Sequence, residues 1–133
     1  MSHHHAAHLL RRALIVDALA SGATAVLLVA AAAPLQPLLG LPVALMRGAG
    51  LVLIPYVALV AFVATRERIE AAAVWGIIVS NALWAIASFL LLLSGQIAPT
   101  ALGIAFAAGQ AVVVALLGEL QYVGLRRPAA PAT

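Results

Sequence analysis

Residues 71–118 of this 133-residue chain contain no charged side chain, and Leu, Ile, Val and Ala dominate them. Drawn out as helix at ~1.5 Å per residue, that tract would be roughly 70 Å long, more than twice the ~30 Å hydrocarbon core of a bilayer. A second tract, between Arg12 and Arg66, carries only Asp17 and Arg47. Each is too long for one crossing and right for two, so each needs one break. Pro34, Pro37, Gly40 and Pro42 supply it in the first tract, and Ser94-Gly95-Gln96 with Pro99-Thr100 supply it in the second. The expected fold class is all-α, an integral membrane four-helix bundle. Its spans fall at about 13–33, 43–64, 72–93 and 100–123, within one domain over about 13–124, with tails at 1–12 and 125–133.

Composition excludes the alternatives. With 65% hydrophobic and 8% charged residues, the chain lacks the roughly 25% charged share with which a soluble domain covers its surface. Cysteine is absent, which removes disulfide scaffolds, thiol relays and zinc–thiolate sites. The basic residues are all arginine: Arg11, Arg12, Arg47, Arg66, Arg68, Arg126 and Arg127, against Asp17, Glu67, Glu70 and Glu119. They cluster at span ends, so the net charge of +3 reads as membrane topology and not as a nucleic-acid surface.

Arg11-Arg12, Arg66-Arg68 and Arg126-Arg127 fall on one side of a four-span chain, and the positive-inside rule makes that side, with both termini, cytoplasmic. Arg47 is the exception, near the outer end of the second span, where a long side chain snorkels to headgroups. A cleaved signal peptide is the competing reading of the first span, but this apolar run is longer than the typical 7–15-residue h-region and contains Asp17. Ser2-His3-His4-His5 with His8 reads as a disordered tail or a shortened purification tag ahead of a metal site, so no metal and no cofactor is expected.

An offset of 64 positions superposes Asp17-Ala18-Leu19 on Asn81-Ala82-Leu83, Ala23 on Ala87, Thr24 on Ser88 and Leu27-Leu28 on Leu91-Leu92, five identities over the thirteen pairs from 17 to 29. As a true duplication this makes the protein two repeated helical hairpins about a pseudo-two-fold along the membrane normal. As chance it is two Ala- and Leu-rich helices with similar letters.

Polar side chains at helical spacing mark the faces turned away from lipid. Asp17, Ser21 and Thr24 form such a stripe, and Asn81, Ala85 and Ser88 form its equivalent beside Trp84. In the fourth span Gly103, Ala107, Ala111 and Ala115 recur every four residues as a packing ridge. Extending it one step turns Glu119 toward a neighbouring helix. Asp17 and Glu119 then lie at one depth, and either they share a proton-exchanging site or each is separately paired with an arginine or a polar neighbour such as Ser21, Asn81 or Tyr122. Pro55-Tyr56 predicts a kink beside a hydroxyl in the second span. Gly48 and Gly50 are expected at close contacts, Gln110 is expected to reach Arg47 or Gln96, and Trp75 and Tyr122 are expected as interfacial anchors.

The spans contain no histidine to ligate haem, and the chain has no phosphate-cradling glycine loop with a following Lys, no HExxH and no nucleophile–base–orienter set. Asn81-Ala82-Leu83-Trp84, the stretch Ala98-Pro99-Thr100-Ala101-Leu102-Gly103-Ile104-Ala105-Phe106 and Glu119-Leu120-Gln121-Tyr122 resemble a family of small, uncharacterised bacterial four-helix integral membrane proteins. The resemblance runs from about Arg11 to Arg127 and implies a bacterial inner membrane. A weaker likeness, in length, helix number and an acidic residue in the first helix, is to the small multidrug resistance transporters. Their acidic residue lies deeper than Asp17 and rests on aromatic residues in later helices that have no match here.

The expected function is therefore a non-enzymatic membrane protein of structural, accessory or partner-binding type, with the bilayer and a second copy or another membrane protein as partners. The rival is a proton-coupled transporter of small solutes, in which Asp17 and Glu119 exchange protons and Tyr56, Asn81, Trp84 and Ser88 line the path.

Overall fold

A computed structural model describes the backbone of residues 2–126 and the side chains of residues 8–126. The described chain is all-helical, in the order α1 (Ser2–Ala30), α2 (Ala32–Leu39), α3 (Val43–Thr65), α4 (Ala71–Leu93) and α5 (Ala101–Arg126). Four of these helices, α1 from His8 onward and α3, α4 and α5, are long and apolar enough to cross a membrane. Their outer faces carry large apolar side chains, with Leu19 at 69%, Leu83 at 61% and Leu90 at 62% exposure. Such continuous apolar surface is incompatible with water and matches lipid.

Two differences from the expected organisation have local causes. Residues 2–12, expected as a tail, are the first turns of α1; His8 is exposed, while the side chains of His3, His4 and His5 and all of 127–133 lie outside the described residues. The first break is not irregular but holds the short helix α2. Pro34 has no N–H for the carbonyl of Ala30 and its ring crowds that group, so α1 stops there. The chain restarts as α2 and ends at Gly40 in the left-handed conformation, φ 66°, which glycine adopts without a Cβ penalty. Pro42 then precedes α3 with the extended backbone a helix entry needs.

Thr100 joins the far ends. Its Oγ1 accepts from the N–H of Gly103 at 3.1 Å, capping α5, and donates to the carbonyl of Leu38 at 2.6 Å. Its own N–H donates to the carbonyl of Leu39 at 3.0 Å. There α5 runs so close to α2 that a Cβ on Gly103 would collide with the Leu39 carbonyl.

At the opposite end Arg11 donates to the carbonyls of Ala64, of Arg66 at 2.8 Å and of Glu67 at 3.2 Å. A guanidinium thus satisfies a carbonyl in the last turn of α3 and two more in the residues that follow it, where the helix dipole favours positive charge. Gly124 lies against the backbone of Leu10, and Trp75 meets Tyr122 edge-on at 5.6 Å. These contacts bring Arg11, Arg12, Arg66, Arg68 and Arg126 to one end of the bundle.

The interior has two apolar cores. Leu10, Leu14, Val60, Val63, Val74 and Ile77 fill the arginine end, and Leu28, Ala32, Leu39, Leu41 and Met46 fill the other. The helices pack in the order α3–α1–α5–α4, while α3 and α4 barely touch. A strict two-fold between the hairpins α1/α3 and α4/α5 would make the α3–α4 seam as tight as the α1–α5 seam. It does not hold.

α3 runs unbroken through Pro55, whose ring is on the outer face. Gly50 is the close-contact glycine, against Ala25, Leu28 and Val29 of α1, whereas Gly48 faces open space.

Candidate functional site

Between the two cores lies a layer of polar side chains centred on Asp17, which is fully buried. Ser21, one turn on in α1, donates to Oδ1 at 2.9 Å. Three groups converge on Oδ2: the Tyr56 hydroxyl of α3 at 2.7 Å, Nδ2 of Asn81 in α4 at 3.2 Å and Nε2 of Gln121 in α5 at 2.7 Å. Asn81 Nδ2 also donates to Oε1 of Gln121 at 2.9 Å, and Oδ1 of Asn81 lies 2.8 Å from the Tyr56 hydroxyl. That hydroxyl has one proton for two acceptors.

One carboxyl group therefore ties together all four spanning helices, and each of the four groups that hold it is neutral. A carboxylate taken out of water costs several kcal/mol unless hydrogen bonds replace its hydration. Four donors meet that demand here, and the buried polar side chains of the described residues all have partners.

Glu119 lies elsewhere. It is exposed on the outside of α5, so the ridge argument that turned it inward fails. A repeat of four residues advances roughly 40° per step on a helix of 3.6 residues per turn, so the line from Gly103 to Glu119 drifts by roughly 160°. The face that stays inward is Gly103, Ala111, Leu117, Gly118, Gln121 and Gly124. Ala107 is half-buried and Ala115 already exposed. Asp17 and Glu119 thus share no site.

The drift also explains why Gln121 was missed: the spacing of buried residues along α5 points to it, while the four-residue ridge points past it. Tyr56, expected to line a path, does border the open space between α3 and α4, and it also donates to Asp17. Arginine and Tyr122 are not among Asp17's hydrogen-bond partners within the described residues.

A second polar group stands further from the arginines. Trp84 Nε1 donates to Oε1 of Gln110 at 2.8 Å. Gln110 Nε2 donates to Ser88 Oγ at 3.0 Å and to the Ala107 carbonyl at 2.8 Å. Gln110 thus bonds neither Arg47 nor Gln96 here, because Arg47 is on the outside of α3 and Gln96 in the exposed α4–α5 connection.

A cavity of ≈ 570 Å³ opens where α3 and α4 separate, with Ser21, Tyr56 and Asn81 as its floor and Val52, Leu83 and Leu117 among its walls. A smaller chamber of ≈ 240 Å³ continues past Leu41, Met46 and Phe106. Thr24, Trp84, Ala87 and Gln110 line both. Asp17 lines neither, being covered by the side chains that bond it.

Family models, curated proteins and solved structures offer no match to this chain. The class follows from the architecture alone: a multi-pass membrane protein built as a four-helix bundle, with an uncharged cavity beside a sealed carboxyl group.

Proposed function

We propose that this chain is a non-catalytic accessory or partner-binding protein of the bacterial inner membrane, with the arginine end and both termini cytoplasmic. The observation that carries this reading is the use made of Asp17. It is spent on fastening four helices to one another and is closed off from the cavity. A carboxyl that loads and releases protons in transport needs a path to water, and the geometry here favours a fixed structural joint. The separation of Glu119 from Asp17 weighs the same way. The partner is a second copy or another membrane protein laid against the apolar outer faces.

Reconstitution into vesicles holding a pH-sensitive dye tests the reading. The parent, Asp17→Asn and Glu119→Gln proteins are all expected to leave the proton gradient standing, while Asp17→Asn unfolds more easily. A proton flux in the parent that the two substitutions abolish would overturn it.

A further inference from the structure

The free hydrogen-bonding capacity of the cavity has one sign. Thr24 spends its hydroxyl proton on the Ala20 carbonyl at 2.8 Å, Ser80 on Gly76 at 2.8 Å, Ser88 on Trp84 at 2.8 Å and Ser21 on Asp17 at 2.9 Å. The indole N–H of Trp84 is taken by Gln110, and both amide protons of Gln110 are taken by Ser88 and Ala107. The protons of Tyr56 and Asn81 are spent within the Asp17 layer, so what remains is lone pairs, and those of Thr24 Oγ1, Ser88 Oγ and Gln110 Oε1 are grouped where the two chambers meet. Every residue lining either chamber is uncharged. The remaining walls are apolar, and the mouth lies along the α3–α4 seam at membrane depth. Its ≈ 570 Å³ falls within the size range of small-molecule sites.

We propose that this cavity binds a neutral single-chain amphiphile entering from the lipid, whose head is a hydrogen-bond donor such as a hydroxyl and whose tail fills the apolar chamber toward Met46 and Phe106. The acceptor-only lining selects for the donor. A carbonyl or ester head of the same size leaves lone pair facing lone pair, and an ammonium head finds no counter-charge. This inference stands apart from the accessory reading, since a ligand site of this kind requires neither a partner protein nor proton movement.

Trp84 reports occupancy directly. The chain has two tryptophans, and Trp75→Phe leaves Trp84 as the sole tryptophan, excited selectively at the red edge where tyrosine does not absorb. In phosphatidylcholine nanodiscs, a monoacylglycerol with a dibrominated C18 chain is titrated in, with the methyl ester of the same dibrominated acid as the donor-free control. Saturable quenching by the monoacylglycerol at a mole fraction about tenfold below that of the ester is expected, the effect of one net hydrogen bond. Ala87→Phe, which fills the junction from an exposed position, is expected to abolish saturable quenching while the protein's thermal unfolding stays as in the parent. Equal quenching by the two probes, no quenching by either, or full discrimination retained in Ala87→Phe would each overturn the proposal.

Discussion

Asn81 donates through Nδ2 to Oδ2 of Asp17 at 3.2 Å across 64 positions of sequence, and these are the two residues that the internal alignment superposes. Positions equivalent under a two-fold meet where they lie close to its axis. The likeness between the first and third spans is thus matched by a direct contact, although the looser α3–α4 seam breaks the symmetry around it. The asymmetry is what leaves room for the cavity.

Removing the carboxyl should loosen all four helices together. Hydrogen bonds between membrane helices average ~0.6 kcal/mol each, so Asp17→Ala, which removes the acceptor of Ser21, Asn81 and Gln121 and leaves the Tyr56 hydroxyl only Oδ1 of Asn81, is expected to cost about 2 kcal/mol. Equilibrium unfolding in mixed micelles with increasing dodecyl sulfate reads this as a shift of the midpoint.

Asn81 and Gln121 bond each other as well as Asp17, so their contributions are not independent. In a double-mutant cycle with Asn81→Leu and Gln121→Leu the coupling is expected at roughly 0.5–1.5 kcal/mol. Additive single-site costs in the same unfolding assay would contradict the network.

Glu119→Gln should leave stability within about 0.5 kcal/mol of the parent, as for substitutions at exposed positions, because the residue is on the outside of α5. The unfolding midpoint is the measurement.

Glycines divide by what faces them. Gly103→Ala should destabilise strongly and disturb the α2–α5 joint, since the added methyl meets backbone of Leu39. Gly48→Ala and Gly76→Ala, which meet nothing within 4 Å, should be neutral or slightly stabilising through helix propensity. Melting of the three purified variants separates the two groups.

The sequence made the spans legible because long uncharged tracts admit few arrangements, and the stripe of Asp17 and Ser21 with Asn81 on the third span marked the polar layer. α2 was hidden because Pro34 and Pro37 signal breaks, yet Pro34 falls in the first turn of α2, where proline is tolerated, and the helix runs on through Pro37. Gln121 and Glu119 were exchanged because the small-residue ridge was extended at four residues per step across a helix whose period is 3.6. The four residues expected along a path, Tyr56, Asn81, Trp84 and Ser88, do line the two chambers, but the size and opening of the space arise from the gap between α3 and α4, a property of packing that periodicity within one helix does not report.

The cysteine-free chain allows the central claim to be tested directly. Single cysteines placed by Glu67→Cys at the arginine end and Gln96→Cys in the α4–α5 connection would be probed with a membrane-impermeant thiol reagent in sealed vesicles of known orientation. The account predicts that the two are labelled from opposite faces, Glu67→Cys from the cytoplasmic one. Labelling of both from the same face would contradict a bundle that crosses the bilayer four times.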